Sequence, residues 1–235
     1  MSATGFSDPR GPRPARTVWL RAEPDRPRRA TPLTRQRIVE AAVALLDEQR
    51  DEDLTMRRLA QRLAVTPTAL YWHVSAKEDL LDLALDQIFG EVRVPDAGGN
   101  WRDEIRELTR AWRAVMLRHP WAPGLIGRPM LGPNVLARTE ALQSALVRGG
   151  FTGVQLAVVT RTLANYVIGA ALTESTWRRS QDPGARAEAR RHIAANRDAY
   201  PTLTASGHLD DDRWNDDDLF VRGIDAILAI PSSGG

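Results

Sequence analysis

Arg57, Thr66, Pro67, Thr68, Tyr71, Trp72, His73 and Lys77 crowd into 21 positions of this 235-residue chain, and few of them suit a core. In the stretch 66-TPTALYWHVSAKEDLL-81, Leu70 and Val74 lie four residues apart and share one face of a helix. Successive steps of about 100° spread Tyr71, Trp72 and His73 around the rest of the cylinder, so the three rings cannot all turn inward with that pair. Wet rings, hydroxyls and cations of this kind hydrogen-bond to phosphates and base edges and pack on thymine methyls. The plainer alternatives are that Trp72 packs half-buried on a following helix and that His73 caps or packs. Charge favours the first reading. From Leu54 to Lys77 there are four cationic side chains, Arg57, Arg58, Arg62 and Lys77, and no acidic one.

Other chemistries are poorly supplied. The absence of cysteine removes disulfides, thiolate zinc sites and thiol nucleophiles. The four histidines, His73, His119, His192 and His208, form no HExxH, and there is no GxSxG or phosphate loop. Asn165 and Glu174 have no visible activating neighbour. No catalytic residue, metal site or cofactor is expected.

The elements that must hold the cluster are helical. Residues 1–32, rich in proline and arginine, read as a disordered basic arm with seven arginines against three acids in 1–29. Thr34 caps a first helix whose inward stripe is Ile38, Ala41, Ala42 and Leu45. Thr55 caps a second, with Met56, Leu59, Ala60 and Leu63 at i, i+3, i+4 and i+7. After a four-residue turn, Thr66 as cap and Pro67 at the first helical position open a short third helix. Ser75 with Glu78 spells a capping box for a fourth, which carries Leu80, Leu81, Leu83, Ala84, Leu85, Ile88 and Phe89. Two helices joined by so short a turn form a helix-turn-helix, with the second free to enter a major groove.

The segment 54-LTMRRLAQRLAVTPTALYWHVSAKEDLLDLAL-85 resembles the N-terminal domain of the TetR family of bacterial transcription repressors, and LYWHV-x-x-K is similar to its tetracycline-repressor branch. The resemblance implies an all-α protein with a three-helix DNA-binding domain at 33–93 and a larger ligand-binding and dimerisation domain at 100–231. It further implies that Arg57 reads a guanine, a contact worth about 1–3 kcal/mol of discrimination. On the same carry-over, Pro67 and Thr68 form the reading tip, while Tyr71, Trp72, His73 and Lys77 contact backbone or groove walls. Met56 and Ala69 depart from the founding repressors, so a different operator is expected.

Beyond the break at 94-VPDAGG-99, helices are expected at Trp101–Arg118, Asn134–Arg148 and Val154–Arg178, with a C-terminal helix around Phe220. In the last, Phe220, Gly223, Ile224 and Ile227 make one stripe, and Val221, Leu228 and Ile230 a second. A helix apolar on two sides needs two partners, and a twofold-related copy supplies the second. The cluster Asp210, Asp211, Asp212, Asp216, Asp217 and Asp218 reads as a solvated loop. Trp112, Met116, Trp121, Leu125, Ile126, Met130, Asn165, Thr173 and Trp177 are candidates for an effector pocket. The drug–magnesium histidine of the founding members aligns with Gly124, which argues against that ligand.

No apolar run is expected to reach the roughly 20 residues of a membrane span, and no signal-peptide core opens the chain. The combined expectation is a cytoplasmic, ligand-responsive homodimer that binds a double-stranded DNA operator and no membrane. Alternatives are a ligand-independent or activating DNA-binding protein and, less favoured, a helical enzyme.

Overall fold

The computed structural model describes residues 32–48, 54–126, 131–179, 184–210 and 212–230. Apart from Pro32 the basic arm lies outside these residues, as do Met130 and Asp211. Ten α-helices are described in two compact units, one up to Leu85 and the other from Asp86 onward.

The first unit holds α1 (Arg35–Glu48), α2 (Met56–Arg62), α3 (Pro67–Tyr71) and most of α4 (Lys77–Phe89). Thr34 caps α1, its hydroxyl accepting from Arg37 N at 3.2 Å. Ile38, Val39, Ala42, Val43 and Leu45 are buried, so the α1 stripe runs through the β-branched Val39 and Val43 rather than Ala41. At α4 the reciprocal cap differs from the sequence reading. Asp79, not Glu78, accepts from the Ser75 N–H, at 3.2 Å. The helix starts at Lys77, one residue later than a cap at Ser75 requires, which brings the next acid round to that amide.

The second unit contains α5 (Trp101–Arg118), α6 (Pro133–Arg148), α7 (Gly153–Arg179), α8 (Ala185–Ala195), α9 (Pro201–Ser206) and α10 (Asp216–Leu228). A 3-10 turn at Pro123–Leu125 occupies the proline-rich bend. α7 packs on α5, α6 and α10 through Val159, Leu163, Val167 and Ala171, all completely buried at four-residue spacing. Gly150, at φ 87°, takes the left-handed turn after α6 that favours glycine, and Phe151 N closes it on Leu146 O at 3.1 Å.

Three expectations need correction. In α10 the buried residues are Phe220, Ile224 and Leu228, so Leu228 belongs to the first stripe, and Val221 and Ile230 are what is left of the second. The aspartates around 216 are not a solvated loop. Asn215 caps α10, and Asp216, Asp217 and Asp218 fill its first turn, where negative charge suits the helix dipole. They also bind arginines, Asp216 to Arg186, Asp217 to Arg113 and Asp218 to Arg222. Finally, Gly153–Arg178 reaches a mean hydropathy of 1.3, long and apolar enough by composition to cross a membrane.

Arg113, on α5, is buried between acids. Its guanidinium donates to Glu174 at 3.0 and 2.5 Å and to Asp217 at 2.5 Å. Burial pushes its pKa down, but the bonds to Asp217 and Glu174 more than offset this, and the charge is held above its ordinary value. Glu174 is buried as well, and its other partner is the exposed Arg178, at 2.5 Å, so removing Arg113 leaves a buried carboxylate with a single solvent-screened ion pair. Arg113→Ala should therefore cost about 3–5 kcal/mol in denaturant unfolding, and adding Glu174→Leu to Arg113→Met should recover much of it.

Candidate nucleic-acid interface and ligand cavity

α3 is five residues long, far below the roughly 12 at which a helix persists alone. Leu70 and Val74 anchor it, both sealed in the core and worth about 1.5–3 kcal/mol each. Thr66 caps it, accepting from Ala69 N at 3.3 Å, and Pro67 occupies its first turn. The turn from α2 is closed by Val65 N to Ala60 O at 3.0 Å and passes through Ala64 at φ 53°, a left-handed conformation that a residue with a Cβ rarely adopts. Thr55 fixes the start of α2, accepting from Arg58 N at 3.2 Å.

These caps and anchors leave an outward face. Tyr71 is 51% exposed and Trp72 66%, while Arg57, Thr66, Pro67 and Thr68 are exposed and Lys77 is half-buried. His73 departs from the group. It is only 7% exposed, because its position follows Leu70 by three residues and turns in beside that anchor. Arg62 turns away from this face, forking onto Glu48 at 2.7 and 2.8 Å and holding that carboxyl below its usual range.

In the second unit a cavity of about 400 Å³ opens among α5, α6 and α7, walled by Phe89, Leu108, Trp112, Leu142, Ala164 and Ile168. Of the residues expected in an effector pocket, Trp112 and Asn165 line it. Thr173 and Trp177 line a separate hollow of about 210 Å³ beside Arg113 and Phe220. Met116 is sealed in the core, and Trp121 stacks edge-on against His119 at 6.0 Å. Leu125 and Ile126 are half-buried and line neither cavity. His119 sits 3.3 Å from Glu91, which Arg118 also binds; burial pushes Glu91 up, but these two partners bring it below the usual range. Arg138, Thr139, Gln143, Thr160 and Arg161 line the cavity without having been picked out, since polar residues on amphipathic helices look like solvated faces.

One wall is fixed by Asp86 at the end of α4. Gly132 precedes α6 with no side chain to cap it, and Asp86 supplies the cap instead, accepting from Val135 N at 3.0 Å and from Asn134 Nδ2 at 2.9 Å. A Cβ at Gly132 would collide with that carboxylate. Next to it, Arg138 donates to the carbonyls of Val92, Gly90 and Asn134, closing the end of α4.

Residues 38–84 match the family model described as bacterial regulatory proteins of the tetR family, and residues 94–229 match the tetracyclin repressor-like C-terminal domain. The chain belongs to the TetR family. An HTH-type transcriptional regulator of Saccharopolyspora erythraea is 43% identical over 90% of this chain and 89% of its own. The HTH-type transcriptional repressor DrrR1 of Streptomyces coeruleorubidus is 32% identical over 83% and 76%. Among solved structures, the TetR family protein ActR of Streptomyces coelicolor, in complex with actinorhodin, superposes with a TM-score of 0.76 at 30% identity, covering 85% of this chain and 95% of that one. TetR-family relatives are transcriptional regulators and not enzymes.

Asp86 gives a pH test of the cavity wall. Burial raises its pKa against the bonds from Val135 and Asn134. A carboxyl whose folded pKa lies above the unfolded one binds its proton more tightly when folded. The stability it contributes is present at low pH and is lost as pH rises through the carboxylate range. Asp86→Asn should therefore gain on the native protein as pH is raised through and above the ordinary carboxylate range in chemical unfolding. A difference that shrinks with pH contradicts this account.

Proposed function

We propose that this chain is a transcription repressor that binds a palindromic operator as a cytoplasmic homodimer and is released by a small-molecule effector. The observation that carries the reading is the wet outer face of α3, with Tyr71 and Trp72 held off the core of a TetR-family headpiece. On this face Arg57 reads a base, and Thr66, Pro67 and Thr68 form the tip. Tyr71, Trp72 and Lys77 position the unit on the phosphates. The burial of His73 takes it out of the set.

The dimer reading is supported by what the second unit leaves open. Val154, Val158 and Leu172 are exposed on α7, and a Cβ added at Gly169 meets nothing within 4 Å. A second copy packed on α7 and α10 would cover that face and place the two recognition helices about 34–36 Å apart, one turn of DNA. It also gives the apolar α7 a partner other than lipid. The effector reading is supported by the cavity and by ActR, which takes actinorhodin. To release DNA, the effector must bind the state unable to span the operator more tightly than the competent one.

Footprinting of the purified protein on the DNA flanking its own gene tests the reading: a protected palindrome is expected, and indifference to every such site would sink it. Within that assay, Arg57→Ala should weaken binding by about 5- to 100-fold and relax specificity at one base pair. By contrast, Lys77→Gln should weaken all sequences alike and reduce the salt dependence by about one phosphate contact.

A further inference from the structure

The cavity among α5, α6 and α7 contains polar groups that its own fold leaves unused. The indole Nε1 of Trp112 and the hydroxyl of Thr160 are both buried, line the cavity and have no hydrogen-bond partner among the described residues. Buried donors are nearly always paired, and each one stranded costs about 1–3 kcal/mol. Two such groups facing one space mark a place where something else accepts the bonds.

Charge narrows the occupant. The described lining contains Arg138 and Arg161 and no aspartate or glutamate. Main-chain carbonyls of Val92, Gly90 and Asn134 hold Arg138 in place, so its hydrogen bonds are satisfied by neutral groups while Asp86 acts on it only through space. Arg161, exposed on α7, has no ion pair among the described residues. The remaining walls are apolar: Phe89, Leu108, Leu142, Ala157, Ala164 and Ile168. A volume of about 400 Å³ suits a small, compact ligand.

We infer that the effector is a compact anion with an apolar body, its acidic group on Arg161, an acceptor oxygen on the Trp112 indole N–H, and its apolar part between α5 and α7. This rests on the cavity being the effector site. A cationic compound of the same shape would meet like charge at both guanidiniums and a neutral one would gain no ion pair, whereas an anion gains a charge-assisted bond. Arg161 is then the specificity-determining residue, and Trp112 orients the bound anion.

Two fluorescent probes with one aromatic frame separate charge from shape: anilinonaphthalene sulfonate, an anion, and neutral N-phenylnaphthylamine. Full-length protein, titrated with each, should bind the sulfonate about tenfold or more tightly than the amine at one site per chain. Arg161→Gln should bring the ratio below about threefold, and Trp112→Phe should weaken the sulfonate several-fold. Ala164→Trp, which fills the cavity, should abolish the site while circular dichroism and melting stay those of a folded chain. Equal affinities, a preference that survives Arg161→Gln, or sulfonate binding undiminished in Ala164→Trp would each overturn the inference. If Ala164→Trp does not fold, Trp112→Phe decides the location, and sulfonate binding undiminished in that variant counts against the inference. No DNA enters these measurements, so their failure leaves the operator reading standing, and failure of footprinting leaves the charge preference standing.

Discussion

Val159, Leu163, Val167 and Ala171 recur every fourth residue along α7, and the second unit is assembled on the contact they make. A four-residue repeat on a helix of 3.6 residues per turn drifts slowly around the axis, so the buried seam wraps from one neighbour to the next. That drift lets one helix serve α5, α6 and α10 in turn. It also leaves two strips outside the seam, one bordering the cavity through Thr160, Arg161, Ala164 and Ile168, the other bare at Val154, Val158 and Leu172. The strip beside the cavity and the strip proposed for a second copy therefore adjoin on a single helix, with Arg161 at their border.

Close approach keeps this arrangement in register. At Gly223 of α10 a side chain would run into the Tyr166 hydroxyl, which donates to Leu219 O at 3.0 Å, and the Tyr166 ring stacks on Phe220 at 5.5 Å. Burial of that phenol raises its pKa against the nearby Arg113, consistent with a group kept as a donor. Nearby, Arg113 ties α5 to α7 through Glu174 and to α10 through Asp217. Packing sets the distances between these helices and the ion pairs set their rotation, since a guanidinium fork tolerates little misalignment.

Much of the first unit was legible in the sequence because its signals are local. The caps at Thr34, Thr55 and Thr66, the proline at the start of α3 and the apolar pair Leu70 and Val74 each depend on neighbours a few residues away. His73 lies on a border by helical geometry alone, and α3, ending at Tyr71, turns it inward. Farther along, α8 and α9 gave no signal, having no buried residue and hence no apolar period. The cavity was legible only in part. Trp112 and Asn165 are conspicuous by type, whereas Arg138 and Arg161 acquire meaning only when separate helices face one another.

Ala64 has a consequence for how α3 meets another molecule. A non-glycine residue held at φ 53° stiffens the link between α2 and α3, since the same turn built on glycine would reach many more backbone shapes. The tip of α3 is thus aimed before any encounter, and little chain entropy remains to be surrendered on docking. Affinity for DNA then rests on the quality of the contacts themselves, and the encounter rate on diffusion and long-range charge rather than on a folding step.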